Sequence, residues 1–522
     1  MKILNQIEKY KSALVEAPFL YRLLVLFISG VVLSFIQAPF HLWPLLFLSL
    51  SVFYILFQKS ENKKQAFLNS YVFAFGYFVA GLYWIGNALL VEGNDYAWAY
   101  PLAVLGLPAL LSLIPSLFLT IFCIFKPRKR WQHFLLFCAV LSLSEWVRGY
   151  ALTGFPWNLF GYSWISLPPI AQSVSVIGSY GLNFLTIFWG AVLGLWVIYP
   201  RRKTSIIIFN IALISFIATY AFGQYRLENA TPEFAPNINL QIIQANISQE
   251  AKWDSKKLVQ NFEKHIQLTA QKEKTQSQNI IVWPETALPP AFINNAAVNE
   301  RIYSVLGAND ILLTGALNVT KGLETDETQY HNALLLWSAE QRAKQLYSKS
   351  HLVPFGEYIP FQKFIPLPTV TSFSGFDKGA GTQTIKVGNK PSFSPLICYE
   401  IIFPHQSALK DENRPHYILT ITNDGWYGNS PGPYQHFVQS RFRAIETGLP
   451  VVRSANTGIS GVLDPYGRAV VSSQYNEAIS LSSKLPISTV NETIYFYWGD
   501  KPFIALILIV FALTVRRKKT QP

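Results

Sequence analysis

Residues Phe393 to Phe403 read FSPLICYEIIF. Within them Ser394 to Glu400 has the apolar, β-rich content of a short buried strand, and it ends on a cysteine followed by a tyrosine and a glutamate. Of the three cysteines, Cys123 and Cys138 sit inside long apolar runs, where a free cysteine behaves as a small hydrophobe. A lone strand cysteine is ordinarily an inert core residue too. Cys398 departs from that pattern because two polar residues follow it at the point where the strand should leave the core.

Outward from this strand, residues 226 to about 492 have the composition of a globular domain large enough for its own core. Ile238–Ile247, Asn279–Trp283, Asp310–Val319, His331–Ser338, Ser394–Glu400 and Tyr417–Asn423 are short, β-rich and bounded by turn residues. Between them Asp254–Lys274 has helical spacing behind an N-cap aspartate, and Pro433–Gly448 runs to a C-cap glycine. Strands alternating with helices predict a layered α/β or α+β domain.

Three strand ends in this region deliver groups that can do chemistry. VWPETALPP presents Glu285, YSKSHLVPFGEY presents Lys349 and LICYE presents Cys398. Each alone is weak, since a glutamate or lysine at a strand end is most often a solvated charge. The three are far apart in sequence, so only a sheet whose strand ends converge can join them. Joined, they form a specific device: a carboxylate to take the thiol proton, a thiolate to attack, and an ammonium to stabilise both the thiolate and an oxyanion. His331, His351, His405 and His416 lack close ligand spacing, so no metal site and no cofactor is expected.

The rest of the chain is different in kind. Only 14% of the 522 residues are charged, and the apolar ones are concentrated in long runs. Residues 23–58 carry no Asp, Glu, Lys or Arg and divide at APFHLWP into two spans. Residues 66–91, 98–125, 167–200 and 205–225 are also uncharged, 131–147 is a weaker candidate, and 496–515 supplies a last span behind an aromatic belt. Eight transmembrane helices are therefore expected, in a membrane domain over 1–225 and a final helix and basic tail over 494–522. The polar domain occupies 226–493.

Basic residues alternate along these spans. The loops with Lys59, Lys63 and Lys64, with Lys126 to Arg130, with Arg201 to Lys203 and with Arg516 to Lys519 hold fourteen Lys and Arg and one acid, Glu61. Their net charge of +13 equals that of the whole chain, so the basic balance is topogenic and gives no support to nucleic-acid binding. By the positive-inside rule these loops are cytoplasmic and the polar domain is extracytoplasmic. Glu145 and Arg148, three apart on one helix face, are expected to pair at the membrane boundary. Phe361, Phe364, Ile365 and Leu367, in a proline-rich loop after Lys349, are expected to form a lid at the outer leaflet.

The contexts WPE, K and CYE in that order resemble the nitrilase, or carbon-nitrogen hydrolase, superfamily, whose fold is an αββα sandwich with a Glu-Lys-Cys triad. EWVRGYALTGFPWNLFGYS (Glu145–Ser163), YSKSHLVPFGEYIP (Tyr347–Pro360) and CYEIIFP (Cys398–Pro404) narrow this further, because they resemble the apolipoprotein N-acyltransferase family of bacterial inner membranes. That resemblance implies transfer of an acyl chain from a phospholipid, through a cysteine thioester, to the α-amine of a diacylglyceryl-cysteine apolipoprotein. It implies Glu285 as base, Lys349 as oxyanion stabiliser and Cys398 as nucleophile, with Glu357, Tyr399 and Glu400 supporting the site and Trp253 lining it. A monomer in the inner membrane, with its catalytic domain in the periplasm, is the matching expectation. The rival readings are a membrane-tethered amidase that gives its thioester to water, and a lipid-binding scaffold or transporter without catalysis.

Overall fold

The computed structural model describes residues 12–91, 96–123, 125, 129–200, 202–231, 233–271, 278–321, 328–360, 375–407 and 414–515. The loop residues Phe361, Phe364, Ile365 and Leu367 lie outside this set. The chain divides into two compact units, one of Met1–Ile85, Pro101–Asn229 and Trp498–Pro522, the other of Gly86–Tyr100 and Ala230–Tyr497.

The first unit is helical. Lys63–Leu90 and Ala97–Phe122, whose residues 86–90 and 97–100 are counted with the second unit, and Val174–Ile198 and Lys203–Glu228 are long and apolar enough to cross a membrane. Three further apolar helices, Phe19–Ser34, Leu45–Gln58 and Lys501–Thr514, have 14 to 16 residues. At 1.5 Å per residue they fall short of a hydrocarbon core ~30 Å thick. Arg130–Tyr150 has the length, with 21 residues, but carries Glu145 and Arg148 in its last turns. Among the described residues, four of the eight expected spans therefore combine length and composition. The shortfall is physical: a charge-free window includes the turns that end a helix, such as residues 35–44 between the first two helices.

Close backbone contact joins Phe19–Ser34 to Lys63–Leu82. A Cβ on Gly30 would lie 2.1 Å from Phe73 O, and one on Gly76 would lie 2.3 Å from Phe27 O, so glycine is what lets these helices touch. Glu145 and Arg148 pair as their spacing predicts, and Arg148 also donates to Phe155 O. Both are buried inside the unit.

The second unit holds two sheets. In the first, β1 (Phe234–Gln244), β2 (Gln278–Val282) and β3 (Ile311–Lys321) are parallel neighbours, with β4 (Thr328–Ser338) and β5 (Lys344–Ser348) added antiparallel on one side. The other edge is β11 (Ile479–Pro486), antiparallel to β1. In the second, β6 (Phe393–Ile397), β7 (Tyr417–Thr422) and β8 (Val451–Ala455) are parallel, followed by β9 (Gly461–Leu463) and β10 (Ala469–Ser472).

The period-2 alternation of each strand sorts its side chains into two layers. Leu240, Ile242, Ile280, Val282, Leu334 and Leu336 meet Ile397, Leu419, Ile421 and Val452 of the second sheet in one shared core. Their neighbours Ile243, Ile281, Trp283, Leu335 and Trp337 face outward, against Phe262 and Ile266 of the helix Leu258–Thr269 and Val298 and Ile302 of Ala296–Tyr303. Gly432–Thr447 packs against β8 in the second sheet. The outcome is the αββα order the resemblance implied.

Candidate active site

The strand directions explain why distant residues meet. In the first sheet β2 runs parallel to β1 and in the second β6 runs parallel to β7, and their ends come together: Glu285 comes shortly after β2, Cys398 directly after β6, and Asn423, directly after β7, donates to the Glu285 carboxylate. Strand β5 runs antiparallel to β4, so its end places Lys349 beside Asn332, whose carbonyl accepts from Lys349 N at 2.8 Å. The loop carrying Glu285 crosses β3 at Gly315, where a Cβ would stand 2.5 Å from Glu285 Cα. Only glycine allows that crossing.

The carboxylate of Glu285 is held at both oxygens. Asn332 Nδ2 donates to Oε1 at 2.7 Å, and the main-chain N–H of Asn423 donates to Oε2 at 2.8 Å. Lys349 Nζ stands 3.6 Å from Glu285 Oε1 and donates to Glu357 Oε1 at 2.9 Å. Glu357 is fixed in turn by Val353 N at 2.8 Å and Asn332 Nδ2 at 3.2 Å. Glu285, Lys349 and Glu357 are all buried. Burial alone would lower the Lys349 ammonium, but Glu357 and Glu285 hold it above the ordinary lysine value, so it stays charged.

Cys398 opens a 3₁₀ turn, Cys398–Ile402, directly after β6. Its φ of 53° is left-handed, a conformation that costs a residue with a Cβ roughly 1–2 kcal/mol and is kept where the surroundings impose it. Burial pushes its thiol up to about 12; Glu285 adds to the shift, and Lys349 and the Thr422 hydroxyl oppose it. At neutral pH the group rests as a thiol. Attack therefore requires a base, and Glu285 is a carboxylate close enough to influence the thiol.

Glu400 locks the cysteine turn to the lysine loop. Its Oε2 accepts from Ile397 N at 2.7 Å, while Oε1 accepts from Ser350 N at 2.7 Å, His351 N at 3.0 Å and Tyr347 Oη at 2.8 Å. Tyr399 is buried with its ring 5.7 Å from that of His351 and 5.1 Å from that of Phe403. Trp253 is 42% exposed and lines a cleft with Lys252, Asn261, Glu285 and Thr286. All seven residues singled out by the sequence thus belong to one region.

Several partners were not foreseen: Asn332, Asn423, Lys252, and a buried cluster of Asp424, His436 and Arg453. His436 Nε2 donates to Cys398 O at 3.2 Å, and its Nδ1 is 2.8 Å from Asp424 Oδ1. Arg453 Nη2 donates to Asp424 Oδ2 at 2.8 Å, and Asn87 Nδ2 donates to Tyr427 O at 2.8 Å. A signal existed for some of them. An arginine centred in the apolar strand VVRSA, and the pair Asn423–Asp424 closing YILTIT, are polar groups where a strand should be buried.

Removing the arginine should be costly. Arg453→Met leaves Asp424 buried without its guanidinium, and a loss of about 3–5 kcal/mol is expected in chemical denaturation. Asp424 titrates at about 2, because Arg453 and His436 outweigh the upward push of burial. A depressed carboxylate contributes stability in full above its ordinary value and loses it as pH falls toward about 2. The gap between wild type and Arg453→Met should accordingly narrow in acid. A gap that is constant with pH would assign the loss to packing.

The chain's relatives fit this geometry. The family model described as "Apolipoprotein N-acyltransferase N-terminal domain" matches residues 29–192, and the carbon-nitrogen hydrolase model matches residues 240–495. The chain is 36% identical to an apolipoprotein N-acyltransferase of Rhodopseudomonas palustris over 95% of each chain. It is 36% identical to one of Brucella melitensis over 94% of each, and 37% identical to one of Bradyrhizobium diazoefficiens over 95% of each. With this likeness sustained from the helical half through the two-sheet domain, the chain belongs to the apolipoprotein N-acyltransferase family.

Proposed function

We propose that the chain transfers an acyl group from a phospholipid, through a thioester on Cys398, to the α-amine of the S-diacylglyceryl-cysteine that begins an apolipoprotein. The observation that carries this reading is the buried meeting of Glu285, Lys349 and Cys398 in a chain of this family. Glu285 takes the thiol proton as sulfur attacks the ester carbonyl, and returns it to the departing lysophospholipid oxygen. The α-amine then attacks the thioester carbonyl, Glu285 accepts its proton, and the thiol is restored. Lys349 stabilises the oxyanion in both halves of this ping-pong sequence. Glu357 holds Lys349, Glu400 and Tyr399 hold the turns, and Trp253 lines the approach.

The arrangement in the membrane belongs to the same proposal. Eight helices, over 1–225 and 494–522, embed a monomer in the bacterial inner membrane, with residues 226–493 as the periplasmic catalytic domain. The support is the alternation of basic loops together with the lipid nature of both substrates.

A transfer assay decides between amine and water as acceptor. With phospholipid and a synthetic diacylglyceryl-cysteine peptide, the peptide should gain the mass of one acyl chain at its N-terminus. Release of free fatty acid with the peptide unchanged would make the protein a hydrolase.

A further inference from the structure

Lys252 is a second buried cation beside the candidate triad. It ends the single helical turn Gln249–Lys252, is 8% exposed, and donates from Nζ to the main-chain oxygen of Glu285 at 2.8 Å. The turn is tied down by Ser248 Oγ, which accepts from Ala251 N at 3.3 Å, and by Asn261 Nδ2, which donates to Ala251 O at 2.8 Å. Burying an ammonium is unfavourable unless its charge is used. A methionine would fill the space without that penalty.

The use is visible in the charge balance. Glu285 and Glu357 bring two carboxylates into the buried site, and Lys349 answers only one of them. With Lys252 the set is neutral before proton transfer, and it stays neutral when the Cys398 proton moves to Glu285 and negative charge develops on sulfur and then on the acyl oxygen. Without it, the set carries one net negative charge throughout, in a region of low dielectric that opposes placing negative charge on sulfur.

We infer that Lys252 is a positioning residue for acyl transfer: its ammonium anchors the main chain of Glu285 and supplies the second positive charge that lets Cys398 become nucleophilic. This rests on the roles proposed above for Glu285 and Cys398. Burial lowers Lys252 to about 8, against the opposing pull of Glu285 and Cys398. Besides these two, the helix Leu258–Thr269 brings His265 toward it, and burial holds that imidazole at about 4, neutral in the working range. Cys398 at about 12 and Lys349, held above its ordinary value, titrate well above Lys252. The ammonium is thus the group of this set lost on moderate alkalinisation, and its charge is present below that point and absent above it.

The acylation half-reaction isolates this effect, because the acceptor amine is absent. Full-length enzyme in detergent micelles is mixed with phospholipid, and thioester formation on Cys398 is followed by intact mass as a function of pH. Wild-type rates should fall on the alkaline side near the value of Lys252. Lys252→Arg keeps its charge at every accessible pH, so it should acylate within about ten-fold of wild type at neutral pH and lose the alkaline fall. Lys252→Met should be slower by about a hundred-fold at neutral pH and show no alkaline fall. Iodoacetamide labelling of Cys398, which needs no lipid, should slow in parallel in Lys252→Met.

If Lys252→Met keeps both the wild-type rate and the wild-type alkaline fall, Lys252 is a packing residue and the inference is wrong. If Lys252→Arg retains the fall, another group owns it and the inference is equally lost. Absence of any thioester on the wild type is a separate result, which overturns the acyl-enzyme reading and this inference with it.

Discussion

Cys398→Ala should form neither acyl-enzyme nor product, a fall to background in both half-reactions. The wild type, given phospholipid and no acceptor, should accumulate an acyl group that hydroxylamine removes, since that amine cleaves a thioester and leaves an amide intact. The substitution deletes one sulfur from a large core that also includes Ile397, Leu419 and Ile421, and alanine meets the same left-handed φ that cysteine does. Its stability should stay within about 1–2 kcal/mol of wild type, so lost activity reports lost chemistry. Because the thiol rests protonated, iodoacetamide should label Cys398 in the wild type far more slowly at neutral pH than it labels an exposed cysteine. Normal product from Cys398→Ala, with no adduct on the wild type, would exclude covalent catalysis in favour of direct transfer from lipid to amine.

What could be read in advance divides along a physical line. The strands around Ile242, Ile281, Leu335 and Leu419 were legible because each is apolar on both faces, as a strand between two layers must be. Strands β8 to β10 have only three to five residues and were not distinguished from the turns around them. The helix expected from Asp254 begins at Leu258, behind a turn in which the Asp254 carbonyl accepts from Lys257 N at 2.8 Å and its side chain from Lys256 N at 3.0 Å. At the site, Glu285, Lys349 and Cys398 could be named by chemistry, but their meeting depends on the register of β5 against β4, a tertiary fact. Asn332 shows the limit. It looks like an ordinary polar residue near the start of an apolar strand, yet its amide holds Glu285 and Glu357 at once. The membrane half was read from the absence of charge, a property that continues through turns as easily as through helices, so its helix boundaries were the least legible.

Lys349→Met should lower both half-reactions by at least a thousand-fold while the protein stays folded. Two losses combine. The first is the ammonium opposite the oxyanion, a contribution of about 10²–10³ in rate where a single donor of this kind has been removed. The second is indirect: without Lys349, Glu285 and Glu357 face each other through Asn332 with no cation between them. Two buried carboxylates that share a site do not both stay ionised, so one takes up a proton, and a protonated Glu285 cannot accept one from Cys398. The two losses act on the same step and do not simply multiply. The signature is in the pH dependence: residual activity of Lys349→Met should climb as pH rises, because the base returns only where both carboxylates are free of protons. Glu357→Gln removes one of the two charges and, in a double variant with Lys349→Met, should recover part of the lost rate by returning Glu285 to its basic form. A Lys349→Met enzyme within about three-fold of wild type, or one whose residual rate is flat with pH and unmoved by Glu357→Gln, would show that the ammonium neither stabilises the oxyanion nor keeps Glu285 ionised.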